Sequence, residues 1–553
     1  MRPSHLLPAI LVVCCQAMHA QQPMAIPPAL DLDTFDLVVD EHVHQFYPGI
    51  NTDTYGASAE YLGPTLIMHT GDSARIRLHN ELSTITNMHW HGLHVPGEHD
   101  GGPPREVLPG ETWMAEYEVR NPAGTYWYHP HPHELTVEQA NRGIAGFILV
   151  KDDAEAALDL PRTYGVDDFP VVVQDRKFNS SGNFILYPYG DSVLVNGTPH
   201  AYVECPAQVV RLRLLNGSNA RIYALGLDNG MPMQVIAGDG GLLAAPVATD
   251  RLWLSNGERA EVLLDLSGLE GDSLLLVSYG SELPQSVPGS NNMLWESSSL
   301  NGVDFPVLRI RVGAPTADPV WTVPATLVPN VVPDPELAVR SRTKVLSGTG
   351  MVGMGMFMIN GQMFDLDVVN DTMQLGTTEV WTIVNNSNMA HPMHIHGVSF
   401  WILERNGEAP PLWERGPKDV VLVDHLDTVK LVMRFETLTN GWPYMYHCHN
   451  LMHEDNMMML QYIVEDVTVS VPLASDAIVC RVFPNPAADH LSFRSEVPVV
   501  AVSLVDGLGR CLIRKSVGGA AQGELSISNL PPGVYALIVE TKSGVVRRSF
   551  VKE

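Results

Sequence analysis

The chain has 553 residues, with 34 Lys and Arg against 62 Asp and Glu, a formal net charge of −28. That imbalance excludes a nucleic-acid backbone or an anionic membrane surface as a natural partner. The 45% hydrophobic and 17% charged residues, with 46 Gly and 41 Pro, exclude a disordered or collagen-like chain and predict a folded, turn-rich protein of several domains.

At the N-terminus, Arg2 precedes an apolar run from Leu6 to Met18, closed by Met18-His19-Ala20. This reads as a secretory signal peptide over 1–20, cut after Ala20. Val13 before Cys14 is too large for a lipoprotein cleavage box. No later run of about 18 apolar residues follows, so an exported protein without a transmembrane segment is expected. Cys205, Cys448, Cys480 and Cys511 are too few for a disulfide framework, and the pairing of Cys480 with Cys511 is left open.

Short alternating stretches such as Ala74-Arg75-Ile76-Arg77-Leu78 and Val209-Val210-Arg211-Leu212-Arg213, separated by Gly, Pro and Asn, predict an all-β architecture. Three strand ends are alike: Arg77-Leu78-His79-Asn80, Arg213-Leu214-Leu215-Asn216 and Thr382-Ile383-Val384-Asn385. Nine residues after the first and last Asn an H-x-H-G begins, at His89 and His394, whereas the middle copy continues without histidine. Three related β-sandwiches are expected, over 21–152, 153–315 and 316–470, with the middle one a spacer. A Pro- and Ala-rich linker runs from Gly313 to Pro335. Near Val471-Pro472 the composition shifts again. From Ile478 to Glu553 nine Lys and Arg outnumber six Asp and Glu, so 478–553 reads as a separate module.

Four clusters carry the chemistry: His89-Trp90-His91-Gly92, His129-Pro130-His131, His391-Pro392-Met393-His394-Ile395-His396-Gly397, and His447-Cys448-His449 followed by His453 and Met458. On a strand, residues two apart share a face, so each H-x-H presents two imidazoles side by side. Cys448 between two such histidines points the other way, and one segment serves two sites. Cys448 with His391, His453 and a thioether from Met458 is the His₂Cys set with a weak axial Met that suits a copper electron-transfer centre. The remaining eight, His89, His91, His129, His131, His394, His396, His447 and His449, can surround an all-imidazole copper cluster with positions open for oxygen. One mononuclear copper and three clustered ones hold the four electrons that dioxygen needs.

In these residues the sequence resembles the three-domain multicopper oxidases, close to copper efflux oxidases, laccases and bilirubin oxidases, from about Phe35 to Glu465. The resemblance implies three cupredoxin-like domains and four copper ions. It implies a type 1 copper on His391, Cys448, His453 and Met458, a type 2 copper on His89 and His394, and a type 3 pair on His91, His129, His131, His396, His447 and His449. It further implies that Asp100, in Asp100-Gly101-Gly102-Pro103, hydrogen-bonds water near the cluster and helps deliver protons, and that Glu454 donates protons during O–O cleavage. Partners are then O₂ and a small reducing substrate, a phenol or a metal ion, and a monomer is expected.

Met351, Met354, Met356, Met358 and Met363 are soft donors suited to Cu(I). The plainer reading is a Met-padded core face, and the long methionine-rich insert of copper efflux oxidases is absent. A laccase-like oxidase is therefore favoured, over a cuprous or other metal-ion oxidase in copper tolerance and over a copper-binding cupredoxin protein without turnover. His94, His99 and His133 lie beside the motifs and are expected to face solvent. In the tail, Val482-Phe483-Pro484-Asn485-Pro486-Ala487 and Leu530-Pro531-Pro532-Gly533-Val534-Tyr535 resemble the C-terminal sorting domain of the type IX secretion system. That resemblance implies a small β-sandwich and delivery to the medium or the cell surface.

Overall fold

The computed structural model describes residues 21–292, 295, 297–351, 354–466, 480–506, 511–542 and 544–553. The expected signal peptide and the Val471-Pro472 shift lie outside them. The chain divides into two compact units, Met1–Glu465 and Asp466–Glu553.

Strands dominate because apolar residues recur with period two. Along Thr34–Tyr47, Phe35, Leu37 and Val39 are buried while Asp36 and Val38 are exposed, so one face packs and the other is solvated. The first sandwich packs a sheet ordered Ile50–Ala57, Thr34–Tyr47, Ser73–Asn80, Thr112–Glu118 with one ordered Ala29–Asp31, Thr65–His69, Gly146–Lys151, Gly124–His129, His89–His91. The second has a six-stranded and an eight-stranded sheet, and Gln22–Pro23 joins it by pairing in parallel with Ala201–Tyr202. The third has two five-stranded sheets, one built on Ala338–Met351 and Thr378–Asn385, the other carrying His391–Ile395 beside Tyr444–Cys448. Each sandwich has its own apolar core. The linker after Gly313 runs along the second sandwich, where Val209 N–H donates to Val320 O and Leu327 N–H to Ala244 O.

The threefold repeat is visible in hydrogen bonds. Asn80, Asn216 and Asn385 are all fully buried. In each, Oδ1 accepts the N–H two residues on, from Leu82, Ser218 and Ser387. In each, Nδ2 donates to two carbonyls, one just downstream and one on a distant segment: Thr84 and Val107, Arg221 and Leu254, Met389 and Val423. The amide thus replaces the strand ladder where the chain turns away.

The second unit is a small sandwich of a three-stranded sheet, Cys480–Phe483, His490–Ser495 and Gln522–Ser526, and a four-stranded one, Cys511–Ser516, Val499–Val505, Gly533–Thr541 and Gly544–Lys552. Leu491, Phe493, Val502, Leu537 and Phe550 fill its core, and Cys480 is a free buried thiol.

Candidate metal centres

The four histidine motifs, remote in sequence, converge. His89–His91 and Gly124–His129 are neighbouring strands with His89 opposite His129; in the third sandwich His394 lies opposite His447. All eight of these imidazoles are buried. The two H-x-H-G copies meet face to face: His89 stacks on His396 and His91 on His394, each with ring centroids 3.7 Å apart.

The outward bonds of these rings fix which nitrogen carries the proton, since a carbonyl or carboxylate only accepts. His89 Nδ1 donates to Asp100 O (2.9 Å) and His394 Nδ1 to Asp419 O (2.8 Å), leaving two lone pairs, on His89 Nε2 and His394 Nε2, facing each other at 3.4 Å. His129 Nδ1 donates to Pro130 O and His91 Nε2 to Asp419 Oδ1 (3.0 Å), so His129 Nε2 and His91 Nδ1 face as lone pairs at 3.3 Å. His396 Nδ1 donates to Asp100 Oδ2 (2.8 Å) and His447 Nδ1 to Cys448 O, so their Nε2 atoms do the same at 3.1 Å. His449 joins the His91–His129 pair and His131 the His396–His447 pair, each triad with donor atoms within 4.8 Å. Facing lone pairs repel, and both nitrogens of His449 and Nε2 of His131 are buried without a hydrogen bond. Burial, reinforced by neighbouring imidazoles, holds His91, His129, His131, His394, His396 and His449 well below the usual histidine pKa. Neutral rings converging on shared points in a buried pocket are what metal cations satisfy.

On the opposite side of the Tyr444–Cys448 strand, Cys448 Sγ lies 3.4 Å from His391 Nδ1 and 3.6 Å from His453 Nδ1. Burial pushes the thiol pKa up and pulls His391 down to about 3, so the site favours a neutral thiol unless a cation stabilises the thiolate. Met458 is buried in the same apolar cluster as Cys448, and its carbonyl accepts Cys448 N–H. Met457 and Met459 belong to a different cluster with Phe364 and Met445. His391 Nε2 meets Ser387 Oγ at 2.7 Å. Phe357 covers both rings, its centroid 4.3 Å from His453 and 5.2 Å from His391. The thiol, imidazole and thioether donors here and the all-imidazole set opposite both fit copper.

Three models of the multicopper oxidase family match the chain, over residues 39–155, 168–293 and 334–468. The chain belongs to the multicopper oxidase family. It is 34% identical to multicopper oxidase mco of Staphylococcus epidermidis over 77% of this chain and 87% of that one. It is also 34% identical to cell division protein FtsP of Escherichia coli, over 82% and 94%. Among solved structures it resembles McoA of Aquifex aeolicus (31% identity, TM-score 0.73, 81% of this chain and 100% of that one) and the laccase-like multicopper oxidase CueO of Ochrobactrum sp. (33%, 0.72, 80% and 100%). The cupredoxin-like sandwiches and the implied copper follow from the family. Residues 481–553 match a secretion system C-terminal sorting domain. Among the described residues no helix is long and apolar enough to cross a membrane.

The structure corrects several expectations. Within this multicopper oxidase framework the second sandwich is not a spacer: Gly257 abuts the His449 ring, which its missing Cβ would approach to 3.1 Å, and Arg259 reaches Asp419. The flanking histidines are partly buried, not solvent-facing. His94 meets Ser399 Oγ at 3.0 Å, His99 Nδ1 is buried, and His133 packs 5.4 Å from Phe364. The methionine strand Met354–Ile359 buries Phe357 and leaves Met356 65% exposed, so Met356 does not pad the core. Apart from these corrections, Asp100 accepts from His396 through its carboxylate and from His89 through its carbonyl.

Three residues escaped the sequence reading. Asp419 holds two imidazoles, and its only signal is a charged pair, Lys418-Asp419, entering the apolar strand Val420–Val423. Trp127 packs 4.3 Å from His129 and 5.1 Å from His91. Asp455 accepts the N–H groups of Thr136 and Val137 and so ties the segment after His131 to the one after His453; burial, then Glu454, raises its pKa to about 8.

Proposed function

We propose that this multicopper oxidase holds four copper ions and couples one-electron oxidation of a phenolic or similar small donor to four-electron reduction of O₂ to water. One ion belongs with His391, Cys448, His453 and Met458, one with His89 and His394, and a pair with His91, His129, His449 and with His131, His396, His447. Bound copper supplies one-electron redox chemistry at the thiolate site and dioxygen reduction at the histidine cluster. The observation that carries this reading is the three pairs of facing imidazole lone pairs at 3.1–3.4 Å on one side of a strand whose Cys448 sits between two Nδ1 atoms on the other.

The chain's own residues supply order and protons. His447-Cys448-His449 is one covalent path between the two sites. Glu454, buried, has its carboxylate oxygens 3.2 Å from Nδ1 of both His131 and His447, so it is the acid that stands beside the cluster and could pass protons to it. Asp100, equally buried, keeps His396 in the tautomer that aims Nε2 inward. The exposed Met356 thioether favours a second reading, oxidation of cuprous ion at the same thiolate centre. The sorting domain directs the chain to type IX secretion machinery and so to the medium or cell surface.

The test is to load the full chain with copper, record its visible spectrum and measure oxygen uptake with a phenol, Cu(I), Mn(II) and bilirubin under identical conditions. Intense blue colour with uptake on a phenol supports the first reading. Uptake on Cu(I) alone supports the second. Colour without uptake on any donor makes the protein a copper binder without turnover and overturns both.

A further inference from the structure

The second sandwich carries none of the ligand motifs, yet it sends one side chain to the edge of the cluster. Arg259 is fully buried and all five of its N–H donors are used: Nε to Thr125 O, Nη1 to Gly257 O and Asp419 Oδ1 (2.7 Å), Nη2 to Asp239 O and Asp419 Oδ2 (2.5 Å). This is the bidentate fork that arginine offers a carboxylate. Asp419 is thereby fixed in rotation, and its Oδ1 also accepts from His91 Nε2 at 3.0 Å. Behind it, Lys418 bridges Asp239 (2.8 Å) and Glu258 (2.9 Å). Three carboxylates thus face two cations in a buried pocket, a net negative charge beside the cluster.

The same pair accounts for the glycine that ends the first H-x-H-G. A Cβ on Gly92 would lie 2.4 Å from Asp419 Oδ2 and 2.7 Å from Arg259 Nη2. Closing the pair against the backbone therefore requires Gly92, whose φ of +87° also suits glycine.

We propose that Arg259 and Asp419 act together as positioning residues that hold His91 with Nε2 protonated, so that Nδ1 is the metal-facing donor, and that the second sandwich is thereby part of the cluster's construction. An imidazole with Nδ1 protonated could not donate there. A plain buried ion pair would not need to share an oxygen with a ring of the cluster; the Arg213–Asp168 fork within the second sandwich (2.7 and 2.8 Å) shares none with an imidazole and is the internal control.

The inference rests on the copper reading above, and the test separates the two. Asp419→Asn puts an amide NH₂ against an Arg259 N–H in either orientation, so the fork cannot persist. Copper-loaded wild type, Asp419→Asn, Arg259→Lys and Asp168→Asn are compared by copper content under stepwise chelation, by blue absorption and by integrated EPR signal. In Asp419→Asn one copper is expected to leave at about 10- to 100-fold lower chelator concentration, with the blue band kept and the EPR-visible fraction of the remaining copper raised as the coupled pair is broken. Arg259→Lys shows the same change in weaker form, and Asp168→Asn lowers the melting point without it. Asp419→Asn that holds copper like wild type overturns the proposal. So does its loss of all copper and blue colour together, which would make the pair simple glue between sandwiches. Failure of the wild type to load a histidine-bound cluster would instead overturn the copper reading itself.

Discussion

The second and third sandwiches turn on the same device and do different things with it. Asn216 and Asn385 are both buried and make the same three hydrogen bonds. Nine residues later one copy places Leu225 in its core and the other His394 in the cluster. The turn is scaffold and the chemistry is a choice of side chain on the strand that follows. The contrast has a limit, because the second sandwich contributes Gly257 and Arg259 to the rear of the same cluster. A repeat that lacks ligands is not thereby inert.

The largest break comes at the residue only the third copy has. Cys448→Ser exchanges a soft thiolate for a hydroxyl at the thiolate site. We expect the blue band to vanish, one copper to be lost, and turnover of a phenol to fall by about three orders of magnitude or more, about 4 kcal/mol of barrier. The eight-histidine cluster, on the other side of the strand, keeps its copper. Persisting phenol oxidation in that variant would show that electrons do not enter through Cys448.

A finer comparison removes the shared device from each copy. Asn216→Ala and Asn385→Ala each remove three buried hydrogen bonds, although Arg221 O keeps Asn256 Nδ2 and Met389 O keeps Ser387 Oγ, and each is expected to cost about 1 to 3 kcal/mol in urea denaturation. Only the third copy links that amide to a metal site: Asn385 Oδ1 accepts from Ser387 Oγ, which meets His391 Nε2 at 2.7 Å. Asn385→Ala should therefore also shift the blue band and its potential, while Asn216→Ala leaves both unchanged. Equal spectra would mean that Ser387 holds His391 without the asparagine.

Much of this was legible in the sequence because it is local. Period two along a strand places His447 and His449 on one face and Cys448 on the other, and the Asn-to-histidine spacing exposes the repeat. What was not legible depends on which strands meet. Asp419 reads as one more charged residue at a strand start until Arg259, 160 residues earlier, is folded against it. Met354, Met356 and Met358 share a face by period two, but only packing decides that Phe357 takes the buried side. His94 reads as a surface residue because its partner, Ser399, lies in another sandwich.

That last contact is the smallest test and the most symmetric. His94 follows His89 by five residues and Ser399 follows His394 by five, so the two stand at equivalent positions of the two H-x-H-G copies and meet at 3.0 Å. Burial lowers the His94 pKa to about 4, with Glu436 opposing and Arg120 adding to the shift by smaller amounts. Because the folded value lies below the unfolded one near 6.5, the unfolded chain binds a proton that the folded ring refuses. This group's share of stability is therefore complete above about pH 6.5 and is lost as the pH falls towards about 4, below which it is constant. The share is on the order of 1 to 2 kcal/mol once partial solvent access to the ring is allowed for. His94→Gln keeps a donor for Ser399 but does not titrate, so its urea midpoint, measured on copper-loaded protein, should fall less steeply than wild type between pH 6.5 and 4. Parallel slopes would show that the ring titrates as it does in water, and that the seam between the outer sandwiches is wetter there than the packing implies.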